Sequence, residues 1–141
     1  MTAAGRRAWA CDTSVALAAI DPNHEAHAGC RREVARRRPA LSGHAVFECY
    51  SVLTRLPPPL RLTAAQAGSV LARAFPEPCW AGPGDLESLR IRSAQLGIVG
   101  ASVYDALVGQ AALVNERTLL TRDQRAERIY RALGVAHEMV D

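Results

Sequence analysis

The chain has 141 residues, 49% of them hydrophobic, 5% aromatic and 22% charged, with a formal net charge of +3. That profile excludes disordered and fibrous proteins and leads us to expect one domain, residues 1–141, around one core. All 17 basic residues are arginine, so P-loop nucleotide binding and any mechanism that needs a catalytic lysine are excluded as well.

Residues 8–12, "AWACD", predict a short buried strand, and "TSVALAAI" continues directly into a helix that Thr13 or Ser14 can cap. In "DPNHEAHAGCRREVARRR" the start signal is Asp21 as N-cap with Pro22 at the first helical position, and the helix that follows is basic and solvated. "PALSG" at 39–43 predicts a brief strand, and "HAVFECYSVLTRL" a helix that the prolines at 57–59 stop. Another helix starts at Thr63, "PCWA" is a candidate short strand, and "PGDLESLRIRSAQLG" is a helix closed by Gly97. The remaining elements are the helix "SVYDALVGQAALVNE", the strand "TLLT", the helix "DQRAERIYRALG" and a last strand "VAHEMV".

Short apolar strands alternating with longer helices imply right-handed crossovers, hence a mostly parallel sheet with helices on both faces. No apolar run reaches the roughly 18–20 residues a bilayer requires, and Asp12 breaks the stretch after the arginine-bearing N-terminus. Neither a leader nor a membrane anchor is expected. Cys11, Cys30, Cys49 and Cys79 form no C-x-x-C pair and no zinc spacing, so they read as small core residues in a reducing cytosol.

Three carboxylates stand alone in apolar windows. Asp12 is the only charge between Arg7 and Asp21, Glu48 between Arg38 and Arg55, and Asp105 between Arg92 and Glu116. A lone buried carboxylate is costly unless it finds a partner or a proton, and none of these windows contains an arginine. Glu48 shares a helix face with Ala45 and Val52, so it points with the core stripe. In a parallel sheet, ligands sit beyond the C-terminal strand ends, where Asp12 follows the first strand and Asp123 follows "TLLT". All four acids can therefore face one crevice. An all-oxygen set suits Mg²⁺ or Mn²⁺ rather than zinc or copper, and the chemistry that follows is phosphodiester hydrolysis.

Each acid also has a purely structural role open to it. Asp12 and Asp123 can cap the helices that follow them, and Asp105 can close a capping box with Ser102. Glu48, read as mid-helix, has no such role. His24 and His27 in "HEAH" fit a solvated helix better than a metal pair, and Arg36, Arg37 and Arg38 form either a solvated face or an RNA-backbone contact.

In "CDTSVALAAI", "FECYSVLTRL", "LGIVGASVYDALVGQAAL" and "LLTRDQRAERIYRALGV", in that order, the chain resembles PIN-domain ribonucleases of the VapC toxin type across nearly its whole length. The resemblance implies a three-layer α/β/α sandwich and a Mg²⁺- or Mn²⁺-dependent endoribonuclease acting on structured RNA such as tRNA or ribosomal RNA. It makes Asp12, Glu48, Asp105 and Asp123 the metal-binding catalytic set, with Ser14 and Thr121 in support. It also implies a bacterial cytoplasmic homodimer, held inactive by a cognate antitoxin protein. Arg122, Arg125 and Arg38 are candidate RNA-backbone contacts. Where the family often carries a second acid and an aromatic after the "TRD" aspartate, this chain has Arg125 and Ala126. The alternative is a catalytically idle PIN fold that binds RNA or an antitoxin. A receiver-like phosphoacceptor or a haloacid-dehalogenase-type phosphatase lacks the lysine it needs.

Overall fold

The structure is a computed structural model that describes residues 8–141; the N-terminal arginines weighed against a leader lie outside it. Its strands are β1 (Trp9–Cys11), β2 (Ala40–Leu41), β3 (Thr118–Thr121) and β4 (His137–Met139). The helices are α1 (Thr13–Ile20), α2 (His27–Arg37), α3 (Ala45–Arg55), α4 (Ala64–Ala74), α5 (Pro83–Leu96), α6 (Ser102–Val114) and α7 (Gln124–Leu133). The sheet order is β2-β1-β3-β4 and every pairing is parallel, with Cys11 beside both Leu41 and Leu120 and Thr121 beside Met139.

Strand order reverses between β1 and β3, because the chain moves outward one way to β2 and the other way to β4. At such a switch point the loops leaving the strands diverge and open a crevice at their C-terminal ends. The inner strands carry the apolar side chains that hold them there: Leu119 and Leu120 are fully buried, as is Val15 on α1. Each such side chain contributes about 1.5–3 kcal/mol of burial. Helix α1 packs on α2 and α3, α6 packs on α5 and α7, and both α1 and α6 touch β3, which sandwiches the sheet.

Gly43 turns the chain from β2 into α3 at φ +52°, and a Cβ there would meet Ala111 Cβ at 2.9 Å and the Leu107 carbonyl oxygen at 3.2 Å. Left-handed backbone strain and backbone overlap both act against a side chain at this position. Gly43→Ala is expected to lower stability by about 2–3 kcal/mol in a denaturant titration.

The elements depart from the sequence expectations in several places, the first being that Asp12, and neither Thr13 nor Ser14, is the N-cap of α1. Asp21 does not open the second helix; it caps the C-terminal end of α1, and its Oδ1 accepts from Asn23 N at 2.9 Å in a local turn. Helix α2 begins only at His27, after His24 Nδ1 has accepted from Ala26 N and His27 Nδ1 has met the Ala18 carbonyl oxygen. Both histidines of "HEAH" thus serve the turn. "PCWA" contributes one isolated parallel bridge, Ser42 to Cys79, instead of a strand. The cysteines behave as expected, all four being buried and free. Burial pushes their thiols up, that of Cys49 to about 12, so they stay protonated and inert. Among the described residues no helix is long and apolar enough to cross a membrane.

Candidate active site

Four carboxylates from four separated segments, Asp12, Glu48, Asp105 and Asp123, line one narrow cleft at the switch point. Asp12 leaves β1 and Asp123 follows β3, while Glu48 and Asp105 come from the first turns of α3 and α6. The neck they form holds about 50 Å³, the scale of an ion with its first waters, and opens into an outer cleft of about 650 Å³. Glu48, Asp105 and Asp123 line both spaces, and Tyr104, Arg125 and Arg128 line only the outer one.

Asp12 is the most deeply set of the four, at 4% exposure. Its Oδ1 caps α1, accepting from Ser14 N at 3.1 Å, Val15 N at 3.4 Å and Ser14 Oγ at 2.6 Å. Its Oδ2 accepts from Thr121 Oγ1 at 2.5 Å and Tyr130 Oη at 2.8 Å. Burial raises the Asp12 pKa, and the hydrogen bonds from Ser14, Thr121, Tyr130 and Val15 oppose that rise. The structural and the site roles considered for Asp12 thus coexist, because the cap uses one oxygen and the two hydroxyls hold the other.

Ser14 and Thr121 brace the other side of the cleft as well. Ser14 Oγ accepts from Arg122 N at 2.9 Å, and Thr121 Oγ1 accepts from Asp123 N at 3.0 Å, which ties the β3–α7 loop to Asp12. Tyr130 was not singled out by the sequence, where it reads as one more apolar position of an amphipathic helix. It reaches Asp12 because α6 carries Gly109 beneath the ring: a Cβ there would lie 3.1 Å from Tyr130 Cδ1.

The other three acids keep oxygens open. Thr13 Oγ1 donates to Glu48 Oε2 at 2.8 Å, and Asp123 Oδ1 caps α7 through Arg125 N and Ala126 N. Glu48 lies in the first turn of α3 rather than mid-helix, where the helix dipole favours a negative charge. The capping box considered for Ser102 and Asp105 does not form, since Ala101 is the N-cap of α6 and no side chain caps it. Among the described residues Asp105 makes no hydrogen bond. Its pKa is raised to about 6, first by burial and then by Asp123, Glu48 and Asp12, against which Arg125 pulls it down.

The candidate arginines divide. Arg125 borders the outer cleft together with Arg128. Arg122 lines neither space; its Nε is buried without a partner, and its charge acts on Cys30. Arg38 sits just before β2, at the opposite end of the sheet, in a separate hollow with Arg73 and Arg117. Neither Arg122 nor Arg38 therefore lines the space that the four acids face. Arg131 pairs with Glu127 at 3.5 Å instead of facing a ligand.

The PIN-domain family model matches residues 10–132. The chain belongs to the PIN-domain family. Within it, the chain is 44% identical over 126 residues to Ribonuclease VapC27 of Mycobacterium tuberculosis, covering 89% of this chain and 92% of that protein. It is 39% identical over 134 residues to Ribonuclease VapC40 of the same species, covering 92% and 96%. A chain from the crystal structure of VapBC2 of Rickettsia felis, bound to a promoter DNA fragment, shares the fold at a TM-score of 0.67. Its identity is 18%, over 94% of this chain and 98% of that chain. The parallel sheet and layered helices are thus the PIN fold, and the cleft lies where this fold brings its strand ends together.

A hard cation fits this donor set in one particular way. Among the described residues no three His, Cys, Asp or Glu side chains converge closely enough to enclose an ion. Burial first, and then the charges of Asp123, Glu48 and Asp12, act against the ionised form of Asp105. Magnesium needs no enclosing cage, because it keeps several waters and is commonly held by one or two carboxylates. Asp105 with both oxygens, Glu48 through Oε1 and Asp123 through Oδ2 have the capacity for this. Asp12 already receives five donors, so ligation there requires the Thr121 or Tyr130 hydroxyl to turn its proton elsewhere.

Proposed function

We propose that the protein is a Mg²⁺- or Mn²⁺-dependent endoribonuclease, the toxin of a bacterial toxin–antitoxin pair, cleaving structured RNA such as tRNA or ribosomal RNA. The observation that carries this reading is the convergence of four carboxylates from four segments on one cleft, with Arg125 and Arg128 at its mouth. A module that only bound RNA would gain nothing from clustered negative charge facing phosphates. One or two of Asp105, Glu48 and Asp123 would hold the cation directly, with the remaining acids, Asp12 included, reaching it through its waters, and it would activate water and offset charge on the attacked phosphate.

The chain's own groups do the rest. Arg125 and Arg128 line the outer cleft together with Asp105 and hold the backbone phosphates on either side of the bond to be cut. Thr13 fixes the Glu48 carboxylate, and Ser14, Thr121 and Tyr130 fix Asp12, so the negative charge is in place before substrate arrives. Water attacks phosphorus and the bond to the leaving ribose oxygen breaks. The relatives' ribonuclease names and the VapBC title of the fold neighbour support the toxin reading. By that reading the protein works in the cytoplasm as a homodimer until an antitoxin protein occludes the cleft.

The test is incubation of purified protein with total bacterial RNA, in Mg²⁺, in Mn²⁺ and in EDTA, with the fragment ends sequenced. Discrete metal-dependent cuts are expected. RNA binding without any cut under all three conditions would favour the idle, binding-only reading instead.

A further inference from the structure

Tyr104 is the residue immediately before Asp105, yet its side chain is turned outward and is 51% exposed at the mouth of the outer cleft. An exposed tyrosine beside a strongly polar site needs a reason to hold its position. Here His44, at the start of α3, stacks on it with ring centroids 4.8 Å apart and planes 19° from parallel. The stack ties the α3 and α6 helix starts together, and these two first turns carry Glu48 and Asp105. With one face of the ring taken by His44, the exposed remainder borders the same space as Arg125 and Arg128. Acids, a braced aromatic ring and two guanidinium groups thus line a single cavity of about 650 Å³.

We propose that Tyr104, braced by His44, is the stacking platform for a nucleotide base next to the bond that is cut. A flat π-face suits any base, and stacking on an aromatic side chain strengthens binding by about 5- to 150-fold per base. The platform lines the same space as Asp105, so a base seated on it places its own phosphate at the acids, while Arg125 and Arg128 hold the neighbouring phosphates. Tyr104 therefore sets how tightly the nucleotide is held, whatever its base, and takes no part in the chemical step. The inference rests on the ribonuclease reading for its biological meaning, although the stacking itself can be measured separately.

The experiment uses the full chain and short RNAs carrying the fluorescent base 2-aminopurine, with Ca²⁺ in place of Mg²⁺ so that binding is read without cleavage. Wild type and Tyr104→Phe are expected to quench the fluorophore alike. Tyr104→Leu, which keeps apolar bulk against His44, is expected to lose the quench and to bind about 5- to 150-fold more weakly at an unchanged melting temperature. In Mg²⁺ the same variant should raise KM by that factor with kcat nearly constant. Equal quenching and equal KM for Tyr104→Leu and wild type would overturn the platform, as would failure of wild type to quench at all. If wild type quenches and Tyr104→Leu does not, but wild type cuts no RNA in Mg²⁺ or Mn²⁺, the platform stands and the nuclease reading falls.

Discussion

Asp12→Asn is expected to lower kcat for RNA cleavage by about 10²- to 10³-fold while leaving the protein folded, and Asp12→Ala is expected to unfold it at markedly lower denaturant. The difference comes from the five donors that Asp12 receives. Asparagine keeps an oxygen for the α1 cap and turns an amide toward Thr121 and Tyr130, whose hydroxyls can accept as well as donate. It removes the negative charge and little else. Alanine removes the cap, worth about 1 kcal/mol, and leaves the Thr121 and Tyr130 hydroxyl protons without an acceptor, at about 1–3 kcal/mol each. The loss totals about 3–7 kcal/mol. Melting curves beside cleavage rates check both variants, and an active, stable Asp12→Asn protein would remove Asp12 from the proposed site.

Asp105→Asn is expected to do the opposite to stability and the same to activity. Asp105 has no hydrogen bond among the described residues, and its pKa is raised to about 6 by burial and by Asp123, Glu48 and Asp12. A raised carboxyl pKa means that the native state holds a proton more tightly than the unfolded chain does. Its stability contribution is intact below the ordinary aspartate range, near 3.8, and is lost as pH rises through about 6. Neutral asparagine escapes that loss. At pH 7, without metal, the variant should be more stable by about 1 kcal/mol after solvent screening, or about 3 °C in melting temperature. At pH 4 the gain should vanish. Cleavage should fall about 10²- to 10³-fold, and Mn²⁺ should raise the melting temperature of wild type far more than that of the variant. A variant that melts lower than wild type at pH 7 would contradict the repulsion on which this rests.

Legibility in the sequence followed the range of the interaction. Helices α3 to α7 and the strands β1 and β3 were readable, because periodicity, prolines and glycine stops act within a few residues of one another. The start of α2 was misread since Asp21 followed by Pro22 carries a start signal, and here the aspartate closes α1 and the turn instead. Asp12, Glu48 and Asp105 were conspicuous because no opposite charge stands in their own windows. The capping box at Ser102 was also a local signal, yet it failed, and Asp105 was left facing the other acids.

The arginines and tyrosines show where sequence alone runs out. Four arginines cluster around Asp123 and three at 36–38, and nothing in their spacing separates Arg125 and Arg128, which line the cleft, from Arg122 and Arg38, which do not. Tyr130 touches Asp12 from 118 residues away, and Tyr104 meets His44 across a helix pair. The sequence by itself determined the element order, the parallel α/β class and the isolated acids, since each depends on neighbours along the chain. Only the tertiary structure decided which cations and aromatic rings share the cleft with those acids. That outcome depends on how the crossovers bring distant helix faces together at the β1/β3 switch point.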